Sequence, residues 1–116
     1  MPSVVGEITK GAVFARIVDR TNVSTNIASK TTAYTATTAD DVILCNTSSG
    51  TFAITLYTAV SNNGREITIK KTDSSGNALT IDGNASETID GVTTKEIQLQ
   101  NSSMTIVSDN SNWNII

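Results

Sequence analysis

The chain has 116 residues, with eight Lys and Arg against eleven Asp and Glu, no histidine and a single cysteine. That length makes one domain, able to bury roughly two thirds of the surface its unfolded form exposes. The missing histidine rules out Ser-His and Cys-His nucleophilic pairs within one chain. A net charge of −3, with Lys70-Lys71 the only adjacent basic pair, argues against nucleic acid as a partner, because phosphate neutralisation needs clustered Lys and Arg.

About a third of the residues are Ser, Thr or Asn, a composition that favours strands and turns over helices. No apolar stretch approaches the ~20 residues of a membrane span, and the first residues lack the charged start and apolar run of a signal peptide. The expectation is a protein made soluble in a cytoplasm, with no membrane partner. Cys45 has no partner for an intrachain disulfide and sits in an apolar run, so it reads as a buried core thiol.

Residues 1–30 have bunched apolar positions, Val4-Val5 and Ala12-Val13-Phe14-Ala15 followed by Ile17-Val18, and neither the helical nor the strand period wins. Gly6 and Gly11 interrupt any long helix. These residues read either as an extended arm with one strand near 12–18 or as the first strand of the domain. From residue 31 the strand pattern becomes regular. Asp41-Val42-Ile43-Leu44-Cys45 is apolar on both faces, as in a central strand, and Phe52, Ile54 and Leu56 alternate with polar neighbours. The Ser48-Ser49-Gly50 turn between these runs predicts a hairpin.

Asn63-Gly64 suits positive φ and leads to a strand with Ile67 and Ile69 inward. Polar turns at 72–77, 83–86 and 90–91 separate further strands, of which the one near 93–100 presents Ile97 and Leu99 to the core. Residues 103–116 read as a closing hairpin. Trp113, the only tryptophan, lies between two asparagines and is predicted to be the core anchor. Eight or nine short strands bounded by Asn, Asp, Gly or Ser predict an all-β fold, an antiparallel β-sandwich of jelly-roll type over 31–116 with an N-terminal attachment arm over 1–30.

Carboxylates are the remaining candidates for chemistry. Asp82, Glu87 and Asp90 cluster around two turns and could form a glycosidase pair or a calcium site, but Asp82-Gly83 and Asp90-Gly91 are ordinary turn pairs. The 73–77 loop has one carboxylate and lacks the spacing of a calcium loop, and Asp40-Asp41 and Arg65 read as solvated strand ends. The expectation is a non-enzyme without metal or cofactor.

The motifs Tyr34-Thr35, Asp41, Ser48-Ser49-Gly50, Leu56, Asn63-Gly64-Arg65, Ile67-Thr68-Ile69-Lys70, Thr88-Ile89-Asp90-Gly91 and the terminal stretch with Asp109 and Trp113 occur in that order. Together, over 31–116, they resemble a β-rich module of tailed-bacteriophage virion proteins. Tyr57 stands where that module usually has proline, and Asn110 where glycine is common. The resemblance implies commonly trimeric parts of tail fibres, tail tips or head decorations, with no catalytic residues to carry over. Because a short arm beginning at Met1 precedes the module, the expectation is a capsid decoration or head-fibre protein of the virion, a homotrimer bound to the major capsid protein or another virion protein. Val4, Val5, Val13, Phe14 and Ile17 would make the particle attachment. The alternative is a tail-fibre or tail-tip module gripping host surface glycan, with Tyr34 and Tyr57 the aromatics available for it.

Overall fold

The computed structural model describes residues 24–116, which form nine strands and no helix. They are β1 (Ile27–Lys30), β2 (Tyr34–Thr35), β3 (Val42–Cys45), β4 (Phe52–Thr55), β5 (Glu66–Lys71), β6 (Leu79–Asp82), β7 (Thr94–Ile97), β8 (Ser103–Ser108) and β9 (Trp113–Ile115). A five-stranded sheet has the order β1-β3-β5-β8-β9 and a four-stranded sheet the order β2-β4-β6-β7.

Both sheets are mixed, where the sequence predicted antiparallel pairing. From β1 to β6 the chain changes sheet at every strand, so each strand lies parallel to the one two before it: Ile27 beside Val42, Val42 beside Thr68, Tyr34 beside Ile54 and Phe52 beside Leu79. Only the last third is antiparallel, with β6 against β7, β5 against β8 and β8 against β9. This is not jelly-roll connectivity. The predicted hairpin of β3 with β4 does not form, because the turn at 47–50 carries the chain across to the other sheet. Period-two alternation decides which side chains face inward but is silent on which strand lies alongside.

The alternation itself holds. Ile43, Cys45, Ile67, Ile69, Ile106 and Trp113 from the five-stranded sheet meet Ile54, Leu79, Ile81 and Ile97 from the four-stranded one in a single core. Each large side chain fully covered in this way contributes ~1.5–3 kcal/mol. Leu99 departs from its expected place: β7 ends at Ile97, the chain turns with Ser102 N–H donating to the Leu99 carbonyl at 3.2 Å, and Leu99 is 75 % exposed.

Turn chemistry follows the residue types. Asp90 (φ 49°) and Gly91 (φ 87°) both take positive φ between the bridged residues Ile89 and Val92, as a tight two-residue hairpin turn requires. Asn110 (φ 79°) adopts the backbone for which glycine is the usual choice. Its turn is held by the Asp109 carboxylate, which accepts from Ser111 N–H (3.0 Å), Asn112 N–H (2.8 Å) and Asn114 Nδ2 (3.0 Å). Hydrogen bonds from Asn112, Asn114 and Ser111 keep this carboxyl below its ordinary pKa.

Candidate functional site

The attachment residues expected from the sequence, Val4, Val5, Val13, Phe14 and Ile17, lie outside the described residues. Trp113 lies where predicted, 1 % exposed, with its ring edge-to-face against Tyr57 at 5.2 Å and 78°. Among the described residues neither the indole Nε1 nor the Tyr57 hydroxyl has a hydrogen-bond partner. Tyr57 is buried, and the half-buried Tyr34 carries the Lys30 ammonium over its ring at 3.8 Å and donates its hydroxyl to Asp40 at 2.8 Å. Neither aromatic is offered to a sugar as an open stacking surface.

One end of the molecule is organised by a buried ion pair. Lys71 follows Ile67 and Ile69 at the inward period of β5, and its ammonium is fully buried. It donates to Asp73 Oδ2 (2.9 Å), to the Ser75 carbonyl (3.0 Å) and to the Asp73 carbonyl (3.2 Å). Asp73 also accepts from Thr47 N–H (2.7 Å) and the Ser75 hydroxyl (2.5 Å), and Thr47 Oγ1 donates to the Asn77 carbonyl (3.0 Å). Burial alone would raise the Asp73 pKa, but hydrogen bonds from Ser75, Thr47 and Lys71 outweigh it and hold the carboxyl well below the usual carboxylate range. The 73–77 loop therefore wraps an internal ammonium and ties the β5-to-β6 connection to the β3-to-β4 turn.

The three clustered carboxylates have separate tasks. Glu87 accepts from Ala59 N–H (2.8 Å) and Thr58 Oγ1 (2.5 Å), fastening the 58–60 segment. Asp90 accepts from Ile115 N–H (3.0 Å), and Asp82 lies on the outer face of β6. Among the described residues no group of three or more His, Cys, Asp or Glu is placed to hold a metal ion.

The sheet edges differ sharply in how they are finished. Beside β9, Trp113 N–H donates to the Thr88 carbonyl (2.8 Å), Asp90 N–H to the Trp113 carbonyl (3.0 Å), and the Asp90 carboxylate takes Ile115 N–H. The β7 edge carries the adjacent charges Lys95 and Glu96, which discourage strand addition. The β2 edge is only Tyr34–Thr35, and just beyond it the Thr37 N–H is capped by the Asp40 carboxylate at 2.8 Å. By contrast, β1 turns the Asn26 and Lys30 carbonyls toward β3, where they accept from Val42 N–H (3.1 Å) and Asn46 N–H (2.9 Å). The polar backbone of Ile27 and Ser29 then faces outward, with no strand beside it among the described residues, and Ile27 is 57 % exposed.

Beside that edge lies an unusual outer face. On the four-stranded sheet the outward residues are polar: Thr35, Thr55, Thr80, Asp82, Thr94 and Glu96, with Ala53. On the five-stranded sheet one cross-strand row runs Ile27, Val42, Thr68, Thr105, with the Thr68 and Thr105 hydroxyls bonded at 2.8 Å and Ile116 joined to Thr105 through its N–H at 2.9 Å. Leu44 and Val107 flank that row. This open edge and apolar row form the candidate interaction site. The sequence signal for it was the two-faced apolar pattern of β3.

The chain matches no protein-family model and no curated protein.

Proposed function

We propose that the protein is a structural component of a tailed-bacteriophage virion, a capsid decoration or head-fibre protein that assembles as a homotrimer. In this reading the two sheets are the halves of a sandwich, the arm expected over 1–30 binds the major capsid protein or another virion protein through its part ahead of β1 (Ile27–Lys30), and Val4, Val5, Val13, Phe14 and Ile17 bury their side chains there. What carries the proposal is the β1 edge, unfinished among the described residues, with the apolar row beside it, set against three finished edges. Proteins that stay single blunt such edges, and those that assemble use them. Weak contacts repeated through a trimer add by avidity. A glycan-binding role ranks second, because Tyr34 is covered by Lys30 and Tyr57 is buried.

The test is deletion of residues 2–18. Loss of binding to capsid shells, with the oligomer retained, is the expected result; unaltered incorporation into particles would refute attachment through the arm. A glycan array on the intact protein checks the second reading.

A further inference from the structure

We infer that copies of this chain meet through the outer face of the five-stranded sheet, with a second copy covering Ile27, Val42, Leu44 and Val107. The inference takes from the reading above only that the chain self-assembles: a face matched to its own copy closes a two-fold pair, and a trimer would need a different surface.

Three features of that face select its occupant. Its middle row is apolar at both ends, while the corresponding face of the other sheet is polar throughout apart from Ala53, so the two faces are built for different surroundings. The row is continuous with the open β1 edge through Ile27, which belongs to both. The face is also complementary to itself in charge. Its strand residues carry one acid and one base, Glu66 and Lys70, both on the central strand β5 and on opposite sides of the row that contains Thr68. A second copy laid across the row sets Glu66 of one against Lys70 of the other, so these side chains attract their own kind, while Asp41, exposed beside Glu66 at the start of β3, adds a second acid at that end. A strongly acidic or basic partner would leave one of the two side chains facing a like charge.

The experiment measures the mass of the purified full chain by light scattering across a dilution series. Val42→Thr with Leu44→Thr removes apolar surface while placing a β-branched, strand-favouring side chain at each position, and is expected to weaken association at least about tenfold with the circular dichroism spectrum unchanged. Glu66→Lys and Lys70→Glu are each expected to weaken it roughly fivefold, and the two together to restore it to within about twofold of the parent. A parent protein that is monomeric at all concentrations overturns both this surface and the self-assembly reading. An oligomer indifferent to all four variants overturns the surface alone and leaves self-assembly standing. Should the threonine variant fail to fold, the charge cycle decides, and failure of the double reversal to rescue refutes the inference.

Discussion

Replacing Tyr57 by Phe should make the protein more stable. The Tyr57 residue is 8 % exposed and packs its ring edge-to-face on Trp113, yet its hydroxyl has no partner among the described residues. Burying an unpaired hydroxyl costs ~1–3 kcal/mol. The substitution keeps the ring, its apolar contacts and its aromatic partner, and leaves a gap the size of one oxygen, which at ~24 cal/mol per Å³ costs roughly 0.5 kcal/mol. The relief exceeds the cost, so a net gain of about 0.5–2.5 kcal/mol is expected, a rise in Tm of ~4–8 °C per kcal/mol for a domain of this size. Burial also raises the Tyr57 pKa above its ordinary value, so the hydroxyl stays un-ionised throughout the neutral range. Urea unfolding followed by the fluorescence of the single tryptophan measures the difference, with the m-value unchanged. A loss of 1 kcal/mol or more would refute the reasoning, because it would mean that the hydroxyl is bonded in solution.

Trp113→Ala should cost ~3–5 kcal/mol, reduced by the relief of the unpaired indole N–H, and a near-neutral result would remove Trp113 from the core. Burial pushes the Cys45 thiol up to about 12, so at pH near 8 a disulfide reagent should label it only through unfolding, about 10³-fold or more slower than in urea; labelling at the free-thiol rate would place Cys45 at the surface. Because the folded pKa of Asp73 is lowered, its contribution to stability is full above the ordinary carboxylate value of 3.8 and is lost as pH falls through the folded value. Unfolding curves of Asp73→Asn and the parent should therefore differ by a constant amount above about pH 4 and converge below it; a gap unchanged down to about pH 2 would refute the network. A Cβ on Gly83 would collide with the Glu87 carbonyl, so Gly83→Ala should lower Tm, while Gly76→Ala, which meets open space, should not.

Inward faces were readable from single-residue alternation: Ile67 with Ile69, Ile54 with Leu56, and Trp113 between its asparagines all face as the pattern requires. The same alternation also pointed to Lys71, two residues beyond Ile69, but a lysine at an inward position reads as surface until its counter-charge is found. Asp73 is that partner, two residues further along a loop whose fold brings it back. Leu99 shows the opposite failure, a period extended past the end of its strand. Sheet membership was not legible at all. The turn at 47–50 has ordinary hairpin composition, and what takes β4 away from β3 is the room left beside β3 by β1 and β5, which is a property of the whole chain.

Because the first six strands alternate between sheets, none of the first five can pair with its immediate successor, and β1 waits for β3 while β2 waits for β4. During synthesis the early segments leave the ribosome without local partners, and the short-range pairing of β8 with β9 is made last. Such an order means slow maturation and a newly made chain that stays sticky for longer, so co-expression with holdase chaperones should raise its yield more than that of a hairpin-built protein of equal size.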